Sequence, residues 1–252
     1  MPELIGLPAS PHQRLVCRVA DGRELGPPLE RISGYADEIC ERSGSAYMVG
    51  KVSSVQKPKE LYVISGIRTF KSMVAMACAL KGALTCDLSS LNSYEIPRVT
   101  VISLKLDLAG VLREHLAGYL ASSRLLSAVR LGEPTADTVT VLHPSGRPVE
   151  IKVVAASKAG AAVISRWSAG VVIDEGPRFA GQTDGKVNFE DLKTASLGRL
   201  LPGAQFVVPG SPWAAYGPVY ETVKEHWRRP TAERAVLRCS APALNQIGRA
   251  HV

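Results

Sequence analysis

The sequence predicts an α/β fold in which helices flank a mainly parallel central sheet. Short apolar and β-branched runs alternate along the chain with longer segments that have helical spacing. Strands that alternate with helices pair in parallel, because each helix carries the chain back to the same edge of the sheet. Ligands of such sheets bind at the carboxyl ends of the strands, so polar motifs directly after a strand are the first candidates for a site.

Each element follows from its local residue pattern. The turn residues Pro144 to Arg147 predict a β-hairpin between residues 137–142 and 149–155, and the Pro- and Gly-rich residues 1–30 predict a loosely packed amino-terminal arm. Helical spacing predicts helices at 29–43, 71–82, 106–127, 189–201 and 219–227. Apolar runs predict strands at 61–65, 98–103, 161–164, 170–174, 205–209 and 234–239.

The stretch that follows the first strand has the layout of a phosphate-binding P-loop. A turn contains Gly66, and Lys71 with Ser72 opens an Ala- and Met-rich helix. Such a loop surrounds phosphates with backbone N–H groups, places a Lys on the β- and γ-phosphates and a hydroxyl on Mg²⁺. The usual pattern has Gly where this chain has Ser65 and Phe70. We predict that ATP binds at Ser65, Gly66, Ile67, Arg68, Thr69, Phe70, Lys71 and Ser72, with Ser72 also a ligand of Mg²⁺.

A second motif lies about a hundred residues further along the chain. The apolar run from Ala169 to Ile173 ends in two adjacent carboxylates, Asp174 and Glu175. A strand that ends in Asp-Glu is the acidic half of a P-loop ATPase. We predict that Asp174 holds Mg²⁺, directly or through water, and that Glu175 polarises the attacking water. The two motifs together predict a P-loop NTPase of the ASCE, helicase-like type.

Composition limits the class of protein further. The chain has 252 residues, 46% of them hydrophobic, which is enough for a sizeable core in one α/β domain. No apolar run reaches the length of a membrane span, and Pro2-Glu3 is unlike the basic start of a secretory signal. Five cysteines without CxxC spacing indicate reduced thiols rather than a disulfide framework or a zinc site. A net charge of +7 favours a polyanionic partner such as nucleic acid; a charged surface that keeps the protein in solution is the alternative.

A third motif, Gly210-Ser-Pro-Trp213 followed by Gly217-Pro-Val-Tyr220, comes after the strand at 205–209. Together with Gly66-Ile-Arg-Thr-Phe-Lys-Ser72 and Val171-Val-Ile-Asp-Glu175, it resembles the ATPase domain of a tailed-phage large terminase subunit, the DNA-packaging motor. The resemblance spans residues 61–221. A simple Gly-Ser-Pro turn is the alternative interpretation of the third motif taken alone.

The resemblance implies a mechanism and partners. Arg68 and Lys71 would neutralise phosphate charge, Glu175 would orient the attacking water, and Ser211 would couple the nucleotide state to DNA movement. Family members commonly have an Arg shortly before the acidic strand, which would be Arg166 here. The implied partners are double-stranded DNA, further copies of this chain in a ring, the portal protein and the small terminase subunit, with no membrane. The implied location is the host cytoplasm and, transiently, the procapsid vertex.

The expected domain organisation is an amino-terminal arm and helix over residues 1–44 and a P-loop ATPase domain over residues 45–245. The six residues 247–252 match an in-frame translation of a common sequencing adapter, so we expect residues 246–252 to be an assembly artefact. The nuclease domain of the family has no counterpart after residue 221, and we expect no nuclease activity from this fragment. Two alternatives stay open: another helicase-like or repair ATPase, and a non-catalytic nucleic-acid-binding module with a decayed P-loop.

Overall fold

The computed structural model describes residues 11–23, 57–66, 71–179, 188–227, 229 and 231–239. The predicted helix at 29–43 and residues 67–70, which are half of the predicted P-loop, lie outside these ranges. The described helices are α1 (Pro11–Ala20), α2 (Lys71–Thr85), α3 (Leu106–Ser122), α4 (Arg124–Ser127), α5 (Ala159–Ile164), α6 (Phe189–Leu197) and α7 (Pro218–His226). The described strands are β1 (Glu60–Ser65), β2 (Arg98–Ser103), β3 (Arg130–Leu131), β4 (Thr138–Leu142), β5 (Pro148–Ala155), β6 (Ser168–Ile173), β7 (Phe206–Gly210) and β8 (Arg234–Cys239).

The eight strands form one mainly parallel sheet in the order β3-β4-β5-β2-β6-β7-β1-β8. Going across the sheet in this order, every neighbouring pair from β5 through β2, β6, β7 and β1 to β8 is parallel. Only the β3–β4 and β4–β5 pairs at one end are antiparallel. Strand β7 therefore lies between β1, which leads into the predicted P-loop, and β6, which leads into the acidic pair. This order brings the three sequence motifs to neighbouring positions at one edge of the sheet.

Two apolar layers cover the sheet. Helices α1, α2 and α3 pack on one face, where Met76, Leu80 and Leu116 are fully buried against strand residues such as Val101. Helices α5, α6 and α7 pack on the other face around Phe189 and other buried residues. Because helices cover both faces of the sheet, β1 and β6 are buried at every position, and both strands are mainly apolar. No helix among the described residues is long and apolar enough to cross a membrane.

The structure corrects four predictions about local elements. The segment at 161–164, predicted as a strand, is part of helix α5, because its small alanines favour a helix and no neighbouring strand among the described residues pairs with it. The predicted helix at 106–127 breaks at Ser123, whose extended backbone and side-chain oxygen cap the short α4. The predicted helix at 189–201 ends at Leu197, just before Gly198.

The fourth correction concerns the amino-terminal arm. Residues 11–20, predicted as loosely packed, form helix α1, which buries Val16, Val19 and Ala20 against α2. The side-chain amide of Gln205 donates to the Ala20 carbonyl at 2.9 Å and so ties the end of α1 to the sheet. The apolar residues in 11–20 have helical spacing, but the prolines and glycines around them favoured the prediction of an irregular arm.

Candidate active site

Polar side chains from the start of α2 and from the ends of β6 and β7 meet at the carboxyl edge of the sheet. Lys71 is the first residue of α2, Asp174 and Glu175 directly follow β6, and Ser211 directly follows β7. Asp174 is tied to the sheet because its N–H donates to the Ile102 carbonyl on β2 at 2.8 Å. The structure thus brings together the Lys, the two carboxylates and the hydroxyl that the sequence motifs predicted.

Lys71 is the centre of the cluster. Its side chain is 7% exposed, and its Nζ donates to the Gly66 carbonyl at 2.6 Å and to Ser211 Oγ at 3.1 Å. A carboxylate oxygen of Glu175 lies 4.0 Å from the same nitrogen. Burial lowers the pKa of Lys71, and the charges of Glu175 and Asp174 oppose that fall. The ammonium group therefore links the start of the predicted P-loop to both other motifs.

Glu175 is held by its backbone and by both of its carboxylate oxygens. Its φ of 54° is the one positive value among the non-glycine residues that the structure describes. The Ser211 N–H donates to Oε2 at 3.1 Å, and the Ser211 hydroxyl donates to Oε1 at 3.2 Å. The hydroxyl of Ser211 consequently accepts from Lys71 and donates to Glu175, so that the three residues form a hydrogen-bonded chain.

Asp174 is the least satisfied polar group of the cluster. It is 6% exposed, and its Oδ1 is one of three buried side-chain oxygens without a hydrogen-bond partner among the described residues. Burial and the neighbouring charge of Glu175 raise its pKa to about 6, against the opposing effects of Lys71 and of a hydrogen bond from Ser72. A buried carboxylate with an unpartnered oxygen beside a hydroxyl is a donor set that suits Mg²⁺.

The structure does not bring every predicted residue to this edge. Ile67, Arg68, Thr69 and Phe70 lie outside the described residues. Arg166 precedes β6 and lies at the opposite, amino edge of the sheet, where it donates to the Ile96 carbonyl at 3.1 Å and lies 3.6 Å from Glu150. It is therefore placed away from the cluster, and its contacts there are structural.

Two groups near the cluster were not assigned to it from the sequence. The hydroxyl of Ser103, at the end of β2, is fully buried and without a partner in the described part of the chain, and the strand register places it beside Asp174. Arg178 lies 3.6 Å from Glu175 Oε2, with its guanidinium 4.4 Å from the centre of the Trp213 ring. The available sequence signal for Ser103 is its place at a predicted strand end. For Arg178, the sequence leaves two interpretations open: a contact with DNA or with the nucleotide of a neighbouring subunit, or a cap on the turn that follows Pro177.

Comparison with solved structures identifies the fold. The crystal structure of the HK97 bacteriophage large terminase matches 77% of this chain at a TM-score of 0.55 and 10% sequence identity. The large terminase of a thermophilic bacteriophage matches 80% of this chain at a TM-score of 0.54 and 13% identity. The chain has the large-terminase fold.

The likeness to these large terminases confirms the predicted α/β fold with its mainly parallel sheet. At sequence identities this low, the structural likeness shows the fold alone. The match covers 38% of the HK97 large terminase and 46% of the thermophilic-phage large terminase, so this chain spans less than half the length of either. No protein-family model and no curated protein sequence matches the chain.

Proposed function

We propose that residues 45–245 of this chain are the ATP-hydrolysing motor domain of the large subunit of a phage DNA-packaging terminase. The observation that carries the proposal is the chain of contacts Lys71–Ser211–Glu175 at the carboxyl edge of a sheet with the terminase fold. A buried ammonium, a hydroxyl relay and a carboxylate in this order are suited to phosphoryl transfer to water.

Phosphate binding would fall to Lys71 and the amino terminus of α2. The 15-residue helix begins at Lys71, so the positive end of its dipole lies at the cluster. Lys71 now donates to the Gly66 carbonyl and to Ser211, and a γ-phosphate would compete for the same protons. The remaining P-loop residues that we propose as ATP contacts are Ser65, Ile67, Arg68, Thr69, Phe70 and Ser72.

Two residues fit a magnesium ion. Asp174, through its unpartnered Oδ1, and Ser72 would hold it. Mg²⁺ bound there would neutralise charge on the β- and γ-phosphates. The Ser103 hydroxyl beside Asp174 is available to hold a water of the hydration shell of the ion.

Glu175 would orient the attacking water. One of its oxygens, Oε1, accepts from the Ser211 hydroxyl and lies 4.0 Å from Lys71 Nζ, on the side of the proposed phosphate position, whereas Oε2 is held by the Ser211 backbone. A carboxylate in that place accepts a hydrogen bond from water and aligns it for in-line attack. When Lys71 turns to a phosphate, Ser211 loses one partner while it still contacts Glu175. Ser211 would thereby report the nucleotide state to the loop that follows β7.

The proposed track is double-stranded DNA, and the proposed assembly is a ring of copies of this chain that works in the host cytoplasm at the procapsid vertex with the portal protein and the small terminase subunit. The net charge of +7 supports a polyanionic track. A translocase has to slide over any sequence, so its contacts should go to phosphates rather than to bases.

Hydrolysis is the first test. The wild-type chain should hydrolyse ATP in the presence of Mg²⁺, and Lys71→Ala should abolish turnover while the unfolding midpoint stays near that of the wild type. Lys224→Ala is the matched control, because it removes an exposed lysine from α7, away from the cluster. Normal turnover by a folded Lys71→Ala protein would show that the cluster is not the phosphate site. Nucleotide binding without hydrolysis would favour the decayed P-loop module instead.

Binding to DNA is the second test. Affinity for two unrelated duplexes should be equal and should fall steeply with salt, by about 10³-fold or more between low and moderate salt if six or more phosphates are contacted. A preference for one duplex, or an affinity that salt does not change, would contradict translocation along double-stranded DNA. Preference for single strands would favour the helicase-like alternative.

A further inference from the structure

The turn after Glu175 is wedged against the end of β7. A Cβ atom added to Gly176 would lie 2.2 Å from Val208 Cγ1, and one added to Gly210 would lie 2.2 Å from Pro177 Cδ. Both glycines are therefore required by the close packing between this turn and the end of β7. The loop that carries Glu175 has little room to move unless the loop that carries Ser211 moves with it.

Arg178 adds an electrostatic contact to this packed turn. The backbone N–H of Arg178 donates to the backbone carbonyl of Glu175 at 2.9 Å. The side-chain Nε of Arg178 lies 3.6 Å from Glu175 Oε2, an ion-pair distance. Oε2 thus has two partners, the Arg178 guanidinium and the Ser211 N–H, which donates to it at 3.1 Å. The other oxygen, Oε1, is left on the side of Lys71.

Trp213 holds Arg178 in place from the neighbouring loop. The guanidinium lies 4.4 Å from the ring centre, within the range of a cation–π contact. A planar guanidinium can stack on a ring with its face while its edge N–H groups point at a carboxylate, which an ammonium cannot do. Trp213 itself is 60% exposed and follows Ser211 by two residues.

We infer that Arg178, seated on Trp213, is a positioning residue for Glu175: it fixes Oε2 so that Oε1 faces the water that attacks the phosphate. The inference rests on the proposed ATPase function and adds a second link between the loop after β7 and the carboxylate. The first link runs through Ser211, and the second runs through the Arg178–Trp213 stack. Any ligand that displaces Trp213 would act on Glu175 through this stack.

The test is steady-state ATP hydrolysis by Arg178→Ala. We expect kcat to fall by about 10- to 100-fold, because a misdirected catalytic group costs up to about that much. KM for ATP should stay within about twofold, since Arg178 contacts Glu175 and not the proposed phosphate site. The kcat of Arg178→Lys should lie between those of the wild type and Arg178→Ala, because lysine keeps the charge but loses the planar stack on Trp213.

Arg199→Ala is the matched control. Arg199 also lies over a tryptophan, Trp167, at 5.7 Å, but this pair flanks the other end of β6, away from the cluster. Its loss should leave kcat unchanged. A double-mutant cycle tests the role of the ring: Trp213→Ala should lower kcat in the wild type and have no further effect in Arg178→Ala. A residue that merely stabilises the fold would instead give additive losses that follow the unfolding midpoint.

The outcomes separate this inference from the proposed function. Wild-type protein that does not hydrolyse ATP overturns both. Active wild type with an unchanged kcat in Arg178→Ala overturns the inference alone. A raised KM with unchanged kcat also overturns it and makes Arg178 a nucleotide contact. Lost DNA affinity with unchanged hydrolysis overturns it as well and makes Arg178 a DNA contact.

Discussion

Asp174→Asn should stabilise the nucleotide-free protein while removing its response to Mg²⁺. Burial and the charge of Glu175 raise the pKa of Asp174 from 3.8 to about 6. A raised pKa means that the folded chain holds its proton more tightly than the unfolded chain does. Stability therefore falls as the pH rises from about 4 to about 6, and above that range the whole cost is present.

The cost can be sized from this difference in pKa. Each unit corresponds to about 1.4 kcal/mol, so the ionised carboxylate destabilises the folded state by about 3 kcal/mol at neutral pH. Asparagine has nearly the same shape and no charge, so Asp174→Asn should recover about 1 to 3 kcal/mol of unfolding free energy at about pH 8. At about pH 4, where the wild-type carboxyl is protonated when folded, the two proteins should be nearly equal.

Urea denaturation of both proteins without Mg²⁺, at about pH 4, about pH 6 and about pH 8, measures this difference. Asp137→Asn is a control of opposite sign. Partial burial of Asp137 is outweighed by its hydrogen bonds with Thr138 and Lys152, which hold its pKa below 3.8, so this variant should gain nothing at high pH. Parallel stability profiles of wild type and Asp174→Asn, or a less stable Asp174→Asn at about pH 8, would refute the argument from burial. Mg²⁺ with ATP should raise the unfolding midpoint of the wild type and not that of Asp174→Asn.

Glu175→Gln should still bind ATP with Mg²⁺ but hydrolyse it about 10²- to 10⁴-fold more slowly, because the charge that polarises water is lost. If this variant and Asp174→Asn lost ATP binding equally, the separate roles of Glu175 in hydrolysis and Asp174 in Mg²⁺ binding would be contradicted. Ser211→Ala should leave nucleotide affinity near that of the wild type and uncouple hydrolysis from DNA movement, which parallel ATPase and translocation assays would show. Glu60→Gln should destabilise the fold by about 3 kcal/mol in thermal or urea unfolding, because Glu60 is buried and its loss leaves Arg234, at 2.8 Å, and Lys193, at 3.3 Å, without their carboxylate. Unchanged stability in Glu60→Gln would show that these cations find water instead.

The sequence by itself determined the fold class and which side chains meet in the candidate site. Buried strands of a parallel sheet are apolar on both faces, so β1, β2, β6, β7 and β8 were visible as short apolar runs. Polar residues directly after such runs were correctly expected at one edge, and Lys71, Asp174, Glu175 and Ser211 do meet there. These inferences depend only on local patterns and on the rule that parallel strands end at the same edge.

Only the tertiary structure decided how these residues contact one another. The strand order placed β7 between β1 and β6, which makes Ser211 the bridge between Lys71 and Glu175. Strand order results from how helices pack on both faces, and the sequence states it nowhere. The same holds for the Arg178–Trp213 stack and the unpartnered oxygen of Asp174. These features depend on residues that are far apart in the chain, and packing rather than local sequence pattern sets their geometry.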